Sequence, residues 1–327
     1  MTETANDIAI DVRLTPDERE AMLLEDARTG LAASPKEISP VWFYDQHGSA
    51  LFDQITRLPE YYPTRAERAL LERHGDEIAA AAGAETLVEL GSGTSDKTET
   101  LLDAMGRQGS LRRYAPLDVD EDTLRDAAQR LITRYPDLEV RGVVGDFRRH
   151  LPRSDGKGSR LVAFLGGTIG NLLPADRARF LFDVDAALDH RDRFLLGVDL
   201  VKDPARLVLA YDDPAGVTAE FNRNALRVLG RTLGGDIEPD AFEHVARWDA
   251  AEERIEMLLR ARHGMAVSLP RIEATIDFTE GEELRTEVSA KFTAEGIAEE
   301  LYRAGLLVDR SWEHELGYLL VLARPYC

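Results

Sequence analysis

Between residues 85 and 201, short apolar runs alternate with longer amphipathic ones, and few architectures accept that order. ETLVEL (85–90), RYAPLDV (113–119), LEVRGVVGDF (138–147), RLVAFLGGTIGN (160–171) and RFLLGVDLV (193–201) read as strands. KTETLLDAM (97–105), EDTLRDAAQRLITRY (121–135) and PADRARFLFDVDAALD (174–189) read as the helices between them, closed by Gly106 and Pro136 and opened by Pro174. Short apolar strands alternating with helices predict a doubly wound parallel sheet with helices on both faces, an α/β fold.

The flanks follow other rules. Residues 1–64 read as a helical, irregular leader whose second half crowds Trp42, Phe43, Tyr44, Phe52, Tyr61 and Tyr62. A helix then runs to about 82 and stops at Gly83, with Pro63 before it and Thr64 and Glu67 spaced as a capping box. Beyond 201 a helical stretch (204–230) precedes RIEMLLRARH, RIEATIDF and LRTEVSAKF, which read as antiparallel strands with turns at His263-Gly264 and Glu280-Gly281. A helix over 294–304 and the strands LLVDRSW and YLLVLAR close the chain. The pattern predicts one α/β unit from 65–200 and 292–327, and a second α+β region from 1–64 and 201–291.

Composition removes several classes of function. The net charge of −20 repels phosphate backbones and points away from nucleic acid toward a small-molecule partner. No apolar run has a membrane-spanning length, and the acidic N-terminus lacks the features of a secretory signal, so the expectation is a cytoplasmic protein, a monomer without membrane partners. The one cysteine, Cys327, excludes a disulfide framework, and seven scattered histidines show no zinc spacing, so no metal is expected. No G-x-S-x-G is present, which argues against a serine hydrolase.

LVELGSGTSDKT (87–98) carries the chemistry. Gly91 and Gly93 stand where the first strand of the sheet turns into a helix, the crevice in which such sheets bind ligands. Asp96 occupies the third glycine position of a dinucleotide fingerprint and the second glycine position of a P-loop, and a carboxylate there repels a phosphate held at the helix start. S-adenosylmethionine (SAM) has no phosphate, and E-x-G-x-G-T is the pattern of the class I, Rossmann-like methyltransferases that bind it. Asp118 ends the second strand, where an acid accepts from ribose hydroxyls, and Asp146-Phe147 end the third, where an acid and a ring suit an adenine.

Longer segments carry a more specific resemblance: WFYDQHGSALFDQITRLPEYYPTR (42–65), FLGGTIGN (164–171), DLVKD (199–203), AYDDPAGVTAEFNRN (210–224), RIEM (254–257) and TEVSAKF (286–292). With the glycine turn, they resemble the L-histidine Nα-methyltransferases of ergothioneine biosynthesis over nearly the whole chain. That family adds three methyl groups from SAM to the α-amine of histidine, giving hercynine. The resemblance implies that Gly91, Lys97, Asp118, Asp146 and Phe147 contact SAM with Tyr44 nearby. It implies that Tyr61, Asn171 and Tyr211 hold the amino and carboxylate ends of histidine, and that Glu287 and Ser289 hold its imidazole. It makes 65–200 and 292–327 the SAM-binding domain and the remainder the histidine-binding domain. Gly167 and Ala290 depart from the pattern, standing where Ser and Cys are more usual.

The chemistry suits these residue types. A free α-amine has a pKa near 8, so a strong base is not required, and positioning is worth on the order of 7–11 kcal/mol. Tyr211 or Tyr61 is the candidate to relay the amine proton. Aromatic faces at Tyr44, Phe52, Tyr61 and Tyr211 attract the growing cation by ~0.5–2 kcal/mol each, whereas Trp42, Phe43 and Tyr62 read as core. Glu287 and Ser289 sit two apart in a strand pattern and share a face, but the alternation does not say which face is the core. Asn171 alone reads as a turn or cap residue. The competing substrate is another amino acid such as a tryptophan derivative, against which a buried Glu287 argues.

Overall fold

The computed structural model describes residues 8–326 apart from Thr94, Asp96 and Asp155. Asp96, on which the exclusion of phosphate ligands turns, and Cys327 therefore lie outside the described residues. The chain begins with β1 (Ile8–Val12), α1 (Pro16–Ala32), the short β2 (Lys36–Glu37), α2 (Gln46–Ile55) and α3 (Pro63–Ala82). The alternating core follows as β3 (Thr86–Leu90), α4 (Thr98–Arg107), β4 (Arg113–Asp118), α5 (Glu121–Arg134), β5 (Glu139–Val144), β6 (Arg160–Phe164), α6 (Pro174–Ala187) and β7 (Arg193–Asp199). Then come α7 (Pro204–Tyr211), α8 (Val217–Leu233), β8 (Phe242–Asp249), β9 (Arg254–Ala261), β10 (Met265–Leu269), β11 (Ala274–Phe278), β12 (Glu283–Ala290), α9 (Ala294–Arg303), β13 (Leu306–His314) and β14 (Tyr318–Pro325).

The main sheet runs β1-β5-β4-β3-β6-β7-β14-β13. Its first six strands are parallel, β14 runs antiparallel to β7, and β13 pairs antiparallel with β14 and so runs with the first six. Strand order reverses between β3 and β6, so the loops after these two strands splay apart and leave the ligand crevice of a doubly wound fold at their carboxyl ends. β3 and β6 are buried at every position, as strands covered on both faces must be. This is the expected class I methyltransferase architecture.

A second sheet, β2-β12-β9-β8, with the β10–β11 hairpin, packs its own core against α8 and the aromatic segment before α3; Trp42, Phe43, Leu226, Phe242 and Leu259 lie in it. The two sheets meet where the ends of β7 and β12 bond: Phe292 N donates to Asp199 O at 3.0 Å and Val201 N to Phe292 O at 2.9 Å.

The structure corrects several sequence readings. Residues 8–12, placed with the second region, extend the main sheet by pairing with β5. Thr64 and Glu67 form no capping box: α3 starts from Tyr62 with no side-chain cap, and Glu67 is fully buried with distant partners. The helical stretch over 204–230 is two helices, broken around Asp212–Gly216. The third strand of the alternating core stops at Val144, which leaves Asp146 and Phe147 in the turn beyond it. β8 and β10 carry no clean alternation in sequence and are not among the strands that the sequence predicts.

Candidate active site

The glycine turn is built by backbone geometry. Gly91 and Gly93 have φ of +69° and +49°, a region that favours glycine, and a Cβ on either would meet no atom within 4 Å. Gly91 N donates to Leu117 O at 2.8 Å, tying the turn to the end of β4. Asp118 then accepts from Gly93 N at 2.8 Å through Oδ2 and from Asp120 N at 3.0 Å through Oδ1. Each oxygen keeps acceptor capacity beyond these bonds. Burial pushes the Asp118 carboxyl up, against the pull of those backbone donors. An open cradle, a turn held by φ values above zero and a carboxylate with lone pairs to spare fit a nucleoside with free ribose hydroxyls, and so fit SAM.

Three expected cofactor contacts, Asp146, Phe147 and Lys97, also have partners within the protein. Asp146 is buried, but both its oxygens face Arg148, with Nη2 at 2.9 Å and Nε at 3.2 Å, so an adenine amine must share that carboxylate. Phe147 packs on Phe164 and Phe180, with centroids at 4.9 and 5.5 Å. Lys97 donates to Glu67 Oε2 at 2.6 Å, and Glu67 Oε1 also accepts from Gly166 N at 2.7 Å and the Tyr318 hydroxyl at 2.6 Å. Glu67 thereby fixes the loops after β3 and β6 against each other, a role hidden by its cap-like spacing.

The second half of the site forms where the loop after β6 leans on β12. Gly170 permits the contact, since a Cβ there would lie 2.8 Å from Ala290 O. Gly167 has φ +69°, a backbone conformation that favours glycine. Asn171 Nδ2 donates to Glu287 Oε1 at 2.8 Å and to Val288 O at 2.7 Å, so it is neither a plain turn residue nor a cap. A register shift between Arg285 and Glu287 re-aims this end of β12. Burial pushes Glu287 up to about 7, against the pull of Asn171 and Lys291.

Tyr211, at the end of α7, is buried, and its hydroxyl lies 2.8 Å from Ser289 Oγ. Tyr61 packs edge-to-face on it with centroids 6.2 Å apart. The Tyr61 hydroxyl makes no hydrogen bond among the described residues, whereas that of Tyr211 is committed. Burial raises both phenols above their ordinary range, so neither is a ready phenolate base. Tyr44 adjoins this ring of residues: it is 43% exposed and stands edge-on to Phe52 and Phe221, and burial, then the charges of Glu287 and Asp118, raise its phenol. Phe52 joins Tyr44 and Tyr61 at 5.9 and 6.2 Å, and Phe221, absent from the sequence reading, packs against Phe43, Tyr44 and Phe52.

The site thus brings Tyr44, Tyr61, Asn171, Tyr211, Glu287 and Ser289 to one place and sets the glycine turn and Asp118 beside it. Trp42, Phe43 and Tyr62 are core as expected, although the Tyr62 hydroxyl also donates to Asp199 at 2.7 Å. Sequence reasoning missed Lys291, Asp199 and Lys202, which form a buried charged cluster behind Tyr211 and Ser289. Burial opposes the Lys291 charge, but Asp199 and Tyr211 hold its ammonium above the ordinary range, while burial pulls Lys202 down to about 8. The alternation Glu287, Ser289, Lys291 was the available signal for Lys291. Among the described residues, no cluster of potential metal ligands occurs and no helix is long and apolar enough to cross a membrane.

Comparison with known proteins identifies the family. The family model described as "Histidine-specific methyltransferase, SAM-dependent" matches residues 23–324. A histidine N-alpha-methyltransferase of Mycolicibacterium smegmatis is 54% identical over 304 residues, covering 93% of this chain and 95% of its own. A histidine N-alpha-methyltransferase of Mycobacterium tuberculosis is 51% identical over 310 residues, covering 95% of this chain and 97% of its own. Ergothioneine biosynthesis protein 1 of Neurospora crassa is 36% identical over 208 residues, 61% of this chain and 23% of its own length.

Proposed function

Because the chain belongs to the SAM-dependent, histidine-specific methyltransferases, we propose that it methylates the α-amine of L-histidine three times, giving hercynine for ergothioneine biosynthesis. The observation that carries the reading is the Asn171–Glu287 hydrogen bond, which joins the loop after β6 to β12 and gathers an amide, a carboxylate, hydroxyls and aromatic faces around one small volume. We assign SAM to Gly91, Asp118, Asp146 and Phe147, with Tyr44 at the boundary and Lys97 acting through Glu67. The main sheet is then the SAM-binding domain, now including residues 8–12, and the second sheet with its aromatic segment is the histidine-binding domain.

The donor supplies an electrophilic methyl on a positively charged sulfur. Before each transfer the ammonium form of the amine gives one proton to water. The freed lone pair then forms the new N–C bond, the S–C bond breaks, its electron pair stays on sulfur as a thioether, and the third transfer leaves a quaternary ammonium with no proton to lose. Asn171 and Tyr211 orient the amino and carboxylate ends, and Glu287 and Ser289 bond the two imidazole nitrogens. Holding the amine in line supplies on the order of 7–11 kcal/mol, so no strong base is needed. The free Tyr61 hydroxyl passes the amine proton outward, a role for which the committed Tyr211 hydroxyl is poorly placed. The faces of Tyr44, Phe52, Tyr61 and Tyr211 stabilise the growing cation by ~0.5–2 kcal/mol each. Incubation with SAM and each of the twenty amino acids, followed by mass spectrometry, tests the reading. Histidine gains three methyl groups if it is right; methylation of another amino acid with histidine unchanged refutes it.

A further inference from the structure

Lys291 lies two residues beyond Ser289 at the end of β12. It is 4% exposed, and its ammonium is enclosed. It donates to Ser289 Oγ at 2.9 Å and Tyr211 Oη at 3.0 Å, and pairs with Asp199 Oδ2 at 3.0 Å. An ammonium has three donors and no acceptor, so these partners saturate it. Asp199 is held in turn by the Tyr62 hydroxyl at 2.7 Å and by Lys202, which donates to Gly317 O at 2.7 Å. The lysine is therefore anchored from behind by the junction of the two sheets.

That anchoring constrains the hydroxyls in front of it. Tyr211 Oη and Ser289 Oγ are 2.8 Å apart, so one donates to the other. Both also accept from Lys291. A hydroxyl has one proton and two acceptor sites. When the internal bonds are taken away, one O–H and one lone pair remain for anything outside the triad, always on different atoms. Without the lysine, each oxygen gains a free lone pair and both hydroxyls lose the donor that fixes their rotation.

We propose that Lys291 is a positioning residue for the acceptor substrate: it makes the Tyr211–Ser289 pair present a single O–H donor and a single acceptor to the bound amino acid. The inference rests on the reading that Tyr211 and Ser289 hold that substrate. Truncation of Lys291 to alanine vacates the volume of its own side chain between Ser289, Tyr211 and Asp199, which a small ammonium ion can fill to replace the missing group.

The experiment measures kcat, KM for histidine, KM for SAM and melting temperature for Lys291→Met and Lys291→Ala. Loss of a charged donor predicts a ten- to hundredfold rise, on the order of magnitude, in KM for histidine, with KM for SAM within about twofold of wild type. Ethylammonium at saturating concentration restores Lys291→Ala at least in part, and ethanol does not. An unchanged KM for histidine, or a parallel rise in both KM values with no rescue, overturns the proposal. If Lys291→Met does not melt cooperatively, Lys291→Gln carries the test with a smaller rise in the same KM; failure of all three variants to fold, with or without ethylammonium, makes Lys291 a folding residue and also overturns it. Ser289→Ala and Tyr211→Phe separate the two levels. If neither changes KM for histidine, the assignment of the substrate site falls; if they raise it and Lys291→Met does not, only the role of Lys291 falls.

Discussion

The two halves of the active site are made by different means. The donor half is a turn and two strand ends, and its defining contacts are made by the backbone of the turn: Gly91 N donates to Leu117 O and Gly93 N to the Asp118 carboxylate. The acceptor half is assembled by side chains far apart in sequence, Asn171 with Glu287 and Tyr211 with Ser289, across the junction of two sheets. A site made from a turn survives changes around it, while one made from side chains on three elements depends on each element's placement. The halves should therefore respond separately to substitution, except at the residues that join them.

Glu67 is such a joint, and its loss should have the largest effect. Glu67→Ala leaves the Tyr318 hydroxyl, Gly166 N and Lys97 without their shared acceptor in a buried place. A cost of about 3 kcal/mol or more is expected, read as a lower denaturation midpoint with weaker binding of both substrates. Selective loss of one substrate with unchanged stability would mean that Glu67 serves one half only. Asp118→Ala comes next. It removes a buried acceptor from the donor half and should weaken S-adenosylhomocysteine binding by on the order of ten- to hundredfold in calorimetry, leaving the fold intact. Gly170→Ala should do the reverse. A Cβ pushing on Ala290 O costs about 1–3 kcal/mol, and the loss should appear in KM for histidine before KM for SAM.

The pH response gives a smaller but sharper contrast. The folded Glu287 carboxyl titrates at about 7, above its ordinary 4.5. Between these values the folded chain binds more protons than the unfolded one. This contribution to stability is fully present below 4.5 and is lost as pH rises through about 7. Compared with Glu287→Gln, the ligand-free wild type should therefore lose melting temperature from pH 5 to pH 8. Histidine needs the carboxylate as an acceptor, so its KM should fall over the same rise, and that part of the profile should vanish in Glu287→Gln. Parallel profiles for the two proteins would remove Glu287 from the acceptor half.

The same contrast explains what the sequence made legible. The alternation of strands and helices and the glycine turn are local patterns, and both stand where they were expected. β1 escaped because IAIDV is five residues long and pairs with a strand some 130 positions away. Glu67 misled because a Thr and a Glu three apart satisfy a local rule, while its partners come from 30, 99 and 251 positions along the chain. For the acceptor half, the resemblance named the residues, but neither the pairing of Asn171 with Glu287 nor the commitment of the Tyr211 hydroxyl follows from periodicity. Lys291 shows the limit most plainly: a lysine in a strand reads as solvated until three buried partners surround it.

The separation of the two halves is tested most directly by calorimetric titration of Glu287→Ala with histidine and, separately, with S-adenosylhomocysteine. The account expects histidine binding to fall by about a hundredfold, the order of magnitude for losing a charged buried hydrogen bond, while S-adenosylhomocysteine binds as to wild type. Equal loss of both ligands would make Glu287 a structural residue and contradict the assignment of β12 to the acceptor.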